Sequence, residues 1–196
     1  VLREYNSIIK EQLHEGIIEQ VAELEQIETG RVHYIPHQAV IRRDAKTTKL
    51  RIVYDCSGKE KGRDSKSLNQ FLHVGPSLNP LLFDILVRFR QHKTALVADI
   101  KKAFLAIEVD EKDRDSLRFL WVRDVEKGNM SVVVYRFCRV IFGATCSPYL
   151  LNATLRNHLD TFHEIDPEFA RKMKDSFYVD DLATSVQSSE DGYCLY

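Results

Sequence analysis

The segment Phe177 to Leu182, Phe-Tyr-Val-Asp-Asp-Leu, sets two adjacent carboxylates, Asp180 and Asp181, between apolar and aromatic neighbours. About 80 residues upstream a third acid, Asp99, closes the apolar run Thr94 to Ile100. Neighbouring side chains on a regular strand point to opposite faces, so a pair that aims at one site has to sit at a turn. The segment therefore predicts a hairpin tip, with Lys174 to Val179 returning through Leu182 to Val186. Two carboxylates so placed suit a cation, although a solvated turn accounts for the pair taken alone more simply. Asp99 poses the same choice. A carboxylate ending a buried strand costs several kcal/mol unless a cation, a hydrogen-bond shell or an ion pair with Lys101 or Lys102 compensates it.

The 196 residues, 44% of them apolar, suffice for one domain or one large lobe with a core. No apolar run approaches the roughly 20 residues of a membrane span and no signal-peptide pattern opens the chain, so a soluble, intracellular protein without membrane contact is expected. A first residue that is not methionine, and an end where a new helix begins, suggest a segment of a longer polypeptide. Four cysteines, Cys56, Cys138, Cys146 and Cys194, show no paired spacing, which favours reduced, buried thiols. His33 and His37 have Pro36 between them and no second ligand pair at zinc-finger spacing.

A net charge of -1 conceals an uneven distribution. Residues 1 to 28 hold seven acids and two bases, whereas residues 42 to 66 hold nine bases and four acids. The second stretch is either a polyanion contact or a solvated basic hairpin.

The elements that must carry these residues follow from periodicity and punctuation. Asn6 or Ser7 can cap a helix of about ten residues through Ile8, Ile9 and Leu13, with Gly16 as its left-handed C-terminal cap. Ile17 to Val21 reads as extended and Ala22 to Gly30 as a polar excursion. Val32 to Arg43, the turn Asp44 to Thr48 and Leu50 to Asp55 form a basic β-hairpin. Residues 57 to 79 read as loop. Asn79 and Pro80 start a helix running to His92, which packs on the strand ending in Asp99. Phe104 to Val109 is extended or a short helix, Asp110 to Asp115 a charged turn, and Leu117 to Val122 pairs with Ser131 to Phe137. Ser147 and Pro148 supply N-cap and N1 for a helix to about His163, and Pro167 to Lys172 forms a short one. The order describes an α+β layer, a small antiparallel sheet backed by helices.

Three segments in order, Val97 to Phe104 (VADIKKAF), Phe142 to Pro148 (FGATCSP) and Phe177 to Leu182 (FYVDDL), resemble the core motifs of reverse transcriptases. Upstream, HYIPHQAVIR (33 to 42), KLRIVYDCS (49 to 57), SLNQFLHVGP (67 to 76) and LFDILVRFRQHK (82 to 93) are similar to the BEL/Pao class of LTR retrotransposon polymerases. The resemblance implies a right-hand polymerase palm with a fingers subdomain, fingers over 1–93 and palm over 94–196, the thumb and RNase H lying outside this chain.

It further implies an RNA-directed DNA polymerase that adds dNTPs to a primer on an RNA or DNA template. Two Mg2+ ions about 4 Å apart, replaceable by Mn2+, would stabilise the attacking and departing oxygens. Asp99 and Asp180 would bridge them, the backbone carbonyl of Ile100 would complete one ion, and Asp181 would be the weaker ligand. Arg51 would lie over the triphosphate, with Arg43 or Lys46 as an accompanying base. Phe104 would exclude a 2'-hydroxyl beneath the sugar, the competing reading being a core phenylalanine. Phe142 stands where retroviral enzymes carry glutamine, so packing and the Gly143 backbone would meet the nucleotide. Val179 would face the primer terminus, and Tyr178 would either pack on the primer strand or fill the sheet. The rest of a Pol polyprotein (protease, thumb, RNase H, integrase) and a cytoplasmic virus-like particle are the implied setting. Two other readings stay open: a palm remnant retained only for nucleic-acid binding, and a different phosphotransferase or nuclease built on three carboxylates.

Overall fold

The computed structural model describes residues 1–22, 32–41, 50–61 and 65–195. In chain order the elements are α1 (Leu2–His14), β1 (Ile18–Gln20), β2 (His37–Ile41), β3 (Leu50–Tyr54), α2 (Leu68–Phe71), α3 (Leu82–Phe89), β4 (Thr94–Asp99), β5 (Arg118–Asp124), β6 (Asn129–Phe137), α4 (Ser147–Asp160), α5 (Pro167–Ser176), β7 (Phe177–Tyr178), β8 (Asp181–Val186) and α6 (Ser189–Leu195). Single 3-10 stretches occupy Phe104–Ala106 and Glu111–Leu117. Antiparallel pairing gives three small sheets, ordered β1-β6-β5, β2-β3 and β4-β8-β7. This is the expected α+β class. No helix among the described residues is long and apolar enough to cross a membrane.

Contacts divide the chain into two compact units, one of Val1–His73 with Phe104–Thr145 and one of Val74–Ala103 with Cys146–Tyr196. The units alternate along the sequence.

In the first unit Ile9, Ile18, Phe119 and Phe137 are fully buried. The rings of Tyr54 and Phe137 meet edge-on at 4.7 Å. Two guanidinium groups are buried with this sheet. Arg136 donates to Glu19 at 2.6 Å and to Asp115 at 2.8 Å, and Arg118 donates to Asp115 at 3.0 Å. A buried charge is tolerable only when paired and hydrogen-bonded in this way. Burial, followed by the Glu19 carboxylate, pushes the neighbouring Cys138 thiol up to about 11.

The first helix begins earlier than its cap residues predict. It runs from Leu2, and Asn6 lies inside it, buried, accepting the Trp121 indole N–H at 3.0 Å. A polar side chain that reads as a cap is here the partner of a distant donor. Gly16 does take the left-handed position after the helix, φ +66°.

In the second unit α3, α5 and α6 pack against β8, the central strand of its sheet. Three expectations need correction here. The helix assigned to Asn79–His92 is shorter, Leu82–Phe89, because Asn79 spends its side chain elsewhere. The strand ending in Asp99 is not buried: none of its six residues is, and Val97 is 72% exposed. Ser147 is the first residue of α4 and Cys146 its N-cap, one position earlier than Ser147 and Pro148 suggest. The expectation of reduced, buried thiols holds for Cys56 and Cys138, while Cys146 is half-buried and Cys194 exposed, and none of the four is in a disulfide.

Candidate active site

The second unit brings the three acids to one end of its sheet. Helix α5 continues to Ser176, so the strand leading into the hairpin is only Phe177–Tyr178. Tyr178 pairs with Asp181, leaving Val179 and Asp180 as a two-residue turn. Asp180 thus occupies the tip, and Asp181 starts β8. On the far side of β8, Asp99 is the register partner of Asp181. Residues directly opposite on an antiparallel ladder present their side chains to the same face, so Asp99 and Asp181 share one face of the sheet. Asp180 reaches the same end from the turn. Its carbonyl accepts the Ile100 N–H at 3.1 Å, which fixes the tip against the end of β4.

The turn carries a conformational cost. Val179 has φ +60°, the left-handed region where glycine usually opens a tight hairpin turn. A β-branched side chain there stores roughly 1–3 kcal/mol. Asn79 supports it: its Oδ1 accepts the Val179 N–H at 3.2 Å. The tip is therefore held from both sides, through Val179 by Asn79 and through Asp180 by Ile100.

The fit to a divalent metal is one of donor type and placement. Three carboxylates and the Ile100 carbonyl offer hard oxygens at one sheet end, the donor set that Mg2+ prefers. Asp99 and Asp181 are exposed and Asp180 is half-buried, so their side chains have room to turn. Among the described residues no three His, Cys, Asp or Glu side chains converge closely enough to hold an ion as they stand. That statement also covers His33 and His37.

The candidate nucleotide contacts belong to the first unit. Arg51 is exposed on β3, opposite Val40. Arg43 and Lys46 lie outside the described residues. Phe104 is buried, 4% exposed, and meets the ring of Phe142 edge-on at 4.4 Å and 70°, while Phe142 itself is 62% exposed. Gly143 has φ +92°, which favours glycine, and a Cβ on it would crowd the Tyr54 carbonyl at 3.2 Å.

Two residues in these surroundings escape a reading by motif. One is Asn79. The other is Asn69 in α2, a one-turn helix within the stretch read as loop. Its capping box, Ser67 with Gln70 three residues on, is a legible helix signature. Asn69 bonds to both Gly143 and Thr145, a tie between segments 74 and 76 residues apart that no local pattern announces.

Comparison with known families decides the affiliation. The family described as "Reverse transcriptase (RNA-dependent DNA polymerase)" matches residues 2–195. The chain belongs to the reverse transcriptase family. Among solved structures, this reverse transcriptase domain is similar to the foamy viral protease-reverse transcriptase dRH in complex with ds DNA, with TM-score 0.66, 18% identity and 97% of the chain covered. It is likewise similar to the foamy viral protease-reverse transcriptase in complex with RNA/DNA hybrid, with TM-score 0.67, 18% identity and 99% covered. The fold is the polymerase fold of these reverse transcriptases, with small antiparallel sheets and packed helices. The chain spans 27% and 21% of the length of those two chains. No curated protein sequence matches it.

Proposed function

We propose that the chain is the polymerase part of an RNA-directed DNA polymerase of a BEL/Pao-type LTR retrotransposon Pol polyprotein, adding dNTPs to a primer 3'-hydroxyl. The observation that carries this reading is the meeting of Asp99, Asp180 and Asp181 at one sheet end, in a chain matched by the family over residues 2–195. Duplexes in the two foamy viral structures support an RNA or DNA template and a primer as partners. The motif resemblance adds the protease, RNase H and integrase of the polyprotein and a cytoplasmic particle.

Asp99, Asp180, Asp181 and the Ile100 carbonyl are the groups that would hold two Mg2+ or Mn2+ ions. When bound, such ions would neutralise charge developing on the attacking and leaving oxygens. The chain's own residues do the positioning. Asn79 and the Ile100 N–H hold the hairpin tip, so the three acids keep one relative placement through the reaction. The ring of Phe104 would lie beneath the sugar and oppose a 2'-hydroxyl. Arg51 would offer its planar donor fork to the triphosphate. The Gly143 backbone would meet the nucleotide, and Tyr178 and Val179 the primer end.

Primer extension on an RNA template with Mg2+ tests the reading. Asp99→Asn and Asp180→Asn are each expected to lose on the order of 10²–10³-fold in rate, the value of several kcal/mol of charge stabilisation. Asp181→Asn loses much less if the turn carboxylate is the principal ligand. The ladder register, which sets Asp181 opposite Asp99, makes this ranking a sharp test: equal losses at 180 and 181 would assign the metal to the cross-strand pair as well. Release of nucleotides from the same duplex, without extension, would replace the polymerase by a nuclease.

A further inference from the structure

We infer that Asn69 is a positioning residue for the incoming nucleotide, acting through the loop that carries Phe142 and Gly143; the inference rests on the polymerase reading above. Its side-chain amide bonds to separate segments, with both N–H donors used. Nδ2 donates to the Gly143 carbonyl at 2.9 Å and to Ser57 Oγ at 2.9 Å, and Oδ1 accepts the Thr145 N–H at 2.9 Å. Its own backbone N–H donates to the Cys56 carbonyl at 3.0 Å, which anchors it beyond the end of β3.

One amide therefore grips residues 143 and 145 together. Gly143 stands at φ +92°, a backbone conformation that glycine adopts readily, and its carbonyl is one of the two loop groups that Asn69 holds. That carbonyl belongs to the peptide between Gly143 and Ala144, and the Thr145 N–H to the next, so Asn69 holds both peptides around Ala144 and restrains the loop immediately after Phe142. Phe142, largely exposed, then lies edge-on to the buried Phe104 at 4.4 Å, the ring proposed to read the sugar. Few side chains can do this. Aspartate lacks the donors, glutamine is one methylene longer, and leucine has neither donor nor acceptor. Asn69 thus sets the pose of the Phe142–Phe104 pair, and with it nucleotide affinity and sugar selection.

Primer extension by the native polypeptide, run with dNTP and with the matching rNTP, tests this. Asn69→Ala, which loses both loop bonds, is expected to raise KM for dNTP about tenfold with kcat nearly unchanged, and to lower dNTP over rNTP selectivity by a similar factor. Asn69→Asp keeps the bond from the Thr145 N–H but sets a carboxylate against the Gly143 carbonyl, and shifts both quantities in the same direction. Ser57→Ala removes a partner of the same amide while sparing the loop, and leaves both quantities within about twofold because only one exposed bond is lost. Unchanged KM and selectivity in folded Asn69→Ala overturn the inference, as does a Ser57→Ala that mimics it, since Asn69 would then only anchor α2. Should Asn69→Ala not fold, Asn69→Asp alone carries the same two outcomes. A wild-type polypeptide that does not extend primers defeats the polymerase reading itself, a result distinct from either.

Discussion

Val179 is the residue at which local chemistry and placement conflict most plainly. Valine favours extended backbone at negative φ, yet here it opens a two-residue turn at φ +60°. The conflict is sustained because the groups on both sides are held: Asn79 accepts its N–H, and Ile100 donates to the next carbonyl. At an ordinary half-buried strand position, replacing valine by glycine is destabilising through lost contacts and a freer unfolded chain. At this position the strain relieved, about 1–2 kcal/mol for a residue in the left-handed region, offsets that loss. Val179→Gly is therefore expected to change unfolding free energy by no more than about 1 kcal/mol, within these opposing magnitudes. Urea unfolding measures it, and a loss well above that figure would mean that the turn is not strained.

Among the elements, the β1-β6-β5 sheet depends on an ionic network rather than on apolar contact alone. Burial acts to raise the Glu19 and Asp115 pKa values, but the hydrogen bonds from Arg136, joined at Asp115 by Arg118, outweigh it and hold both carboxyls below their ordinary range. A depressed folded pKa contributes stability that is present above the unfolded value and is lost as pH falls through the folded one. The unfolded value of such acids is about 4, so stability should hold near neutrality and decline below about pH 4 as the pair takes up protons. Glu19→Gln is expected to lower stability at pH 7 by about 1 kcal/mol, because Glu19 is a third exposed and Arg136 keeps its bond to Asp115, and to flatten the acid decline. Thermal melts across pH 3 to 7 test both. Little of this network was legible in the chain. Glu19 and Arg136 are 117 residues apart and come together only through strand register. Hairpins and helices were legible where turn and cap residues act on their own neighbours, as at Gly16, Asp124–Asn129 and Pro167. Reading failed where a polar side chain served a distant partner: Asn6 and Asn79 look like caps and are hydrogen-bond partners instead. The apolar run of β4 suggested burial, but alternation and exposure are set by what covers a strand, which its own residues do not state.

For the whole molecule the question is how a chain of net charge -1 would hold the proposed template, a polyanion. Phosphate contacts supply most nucleic-acid affinity, so the bases must be concentrated locally for the proposed template to bind. Residues 42 to 66 are the one stretch where the excess of bases, nine against four acids, is large. Part of it, 42–49, lies outside the described residues, and Arg51 at its edge is exposed on β3. Binding of the chain to a primed template should weaken steeply with salt. Each phosphate contact contributes about 0.9 to the slope of log K against log salt, so replacing Arg42, Arg43, Lys46 and Lys49 by glutamine should reduce the slope by up to roughly 3–4. Replacing Glu4, Glu11, Glu15 and Glu23 in the acidic stretch by glutamine controls for net charge, moving it equally far in the opposite direction while removing no phosphate contact. A slope that follows net charge alone in fluorescence-anisotropy titrations would make residues 42 to 66 a solvated basic segment; a slope that falls only with the four bases would make them the template-binding edge of the polymerase.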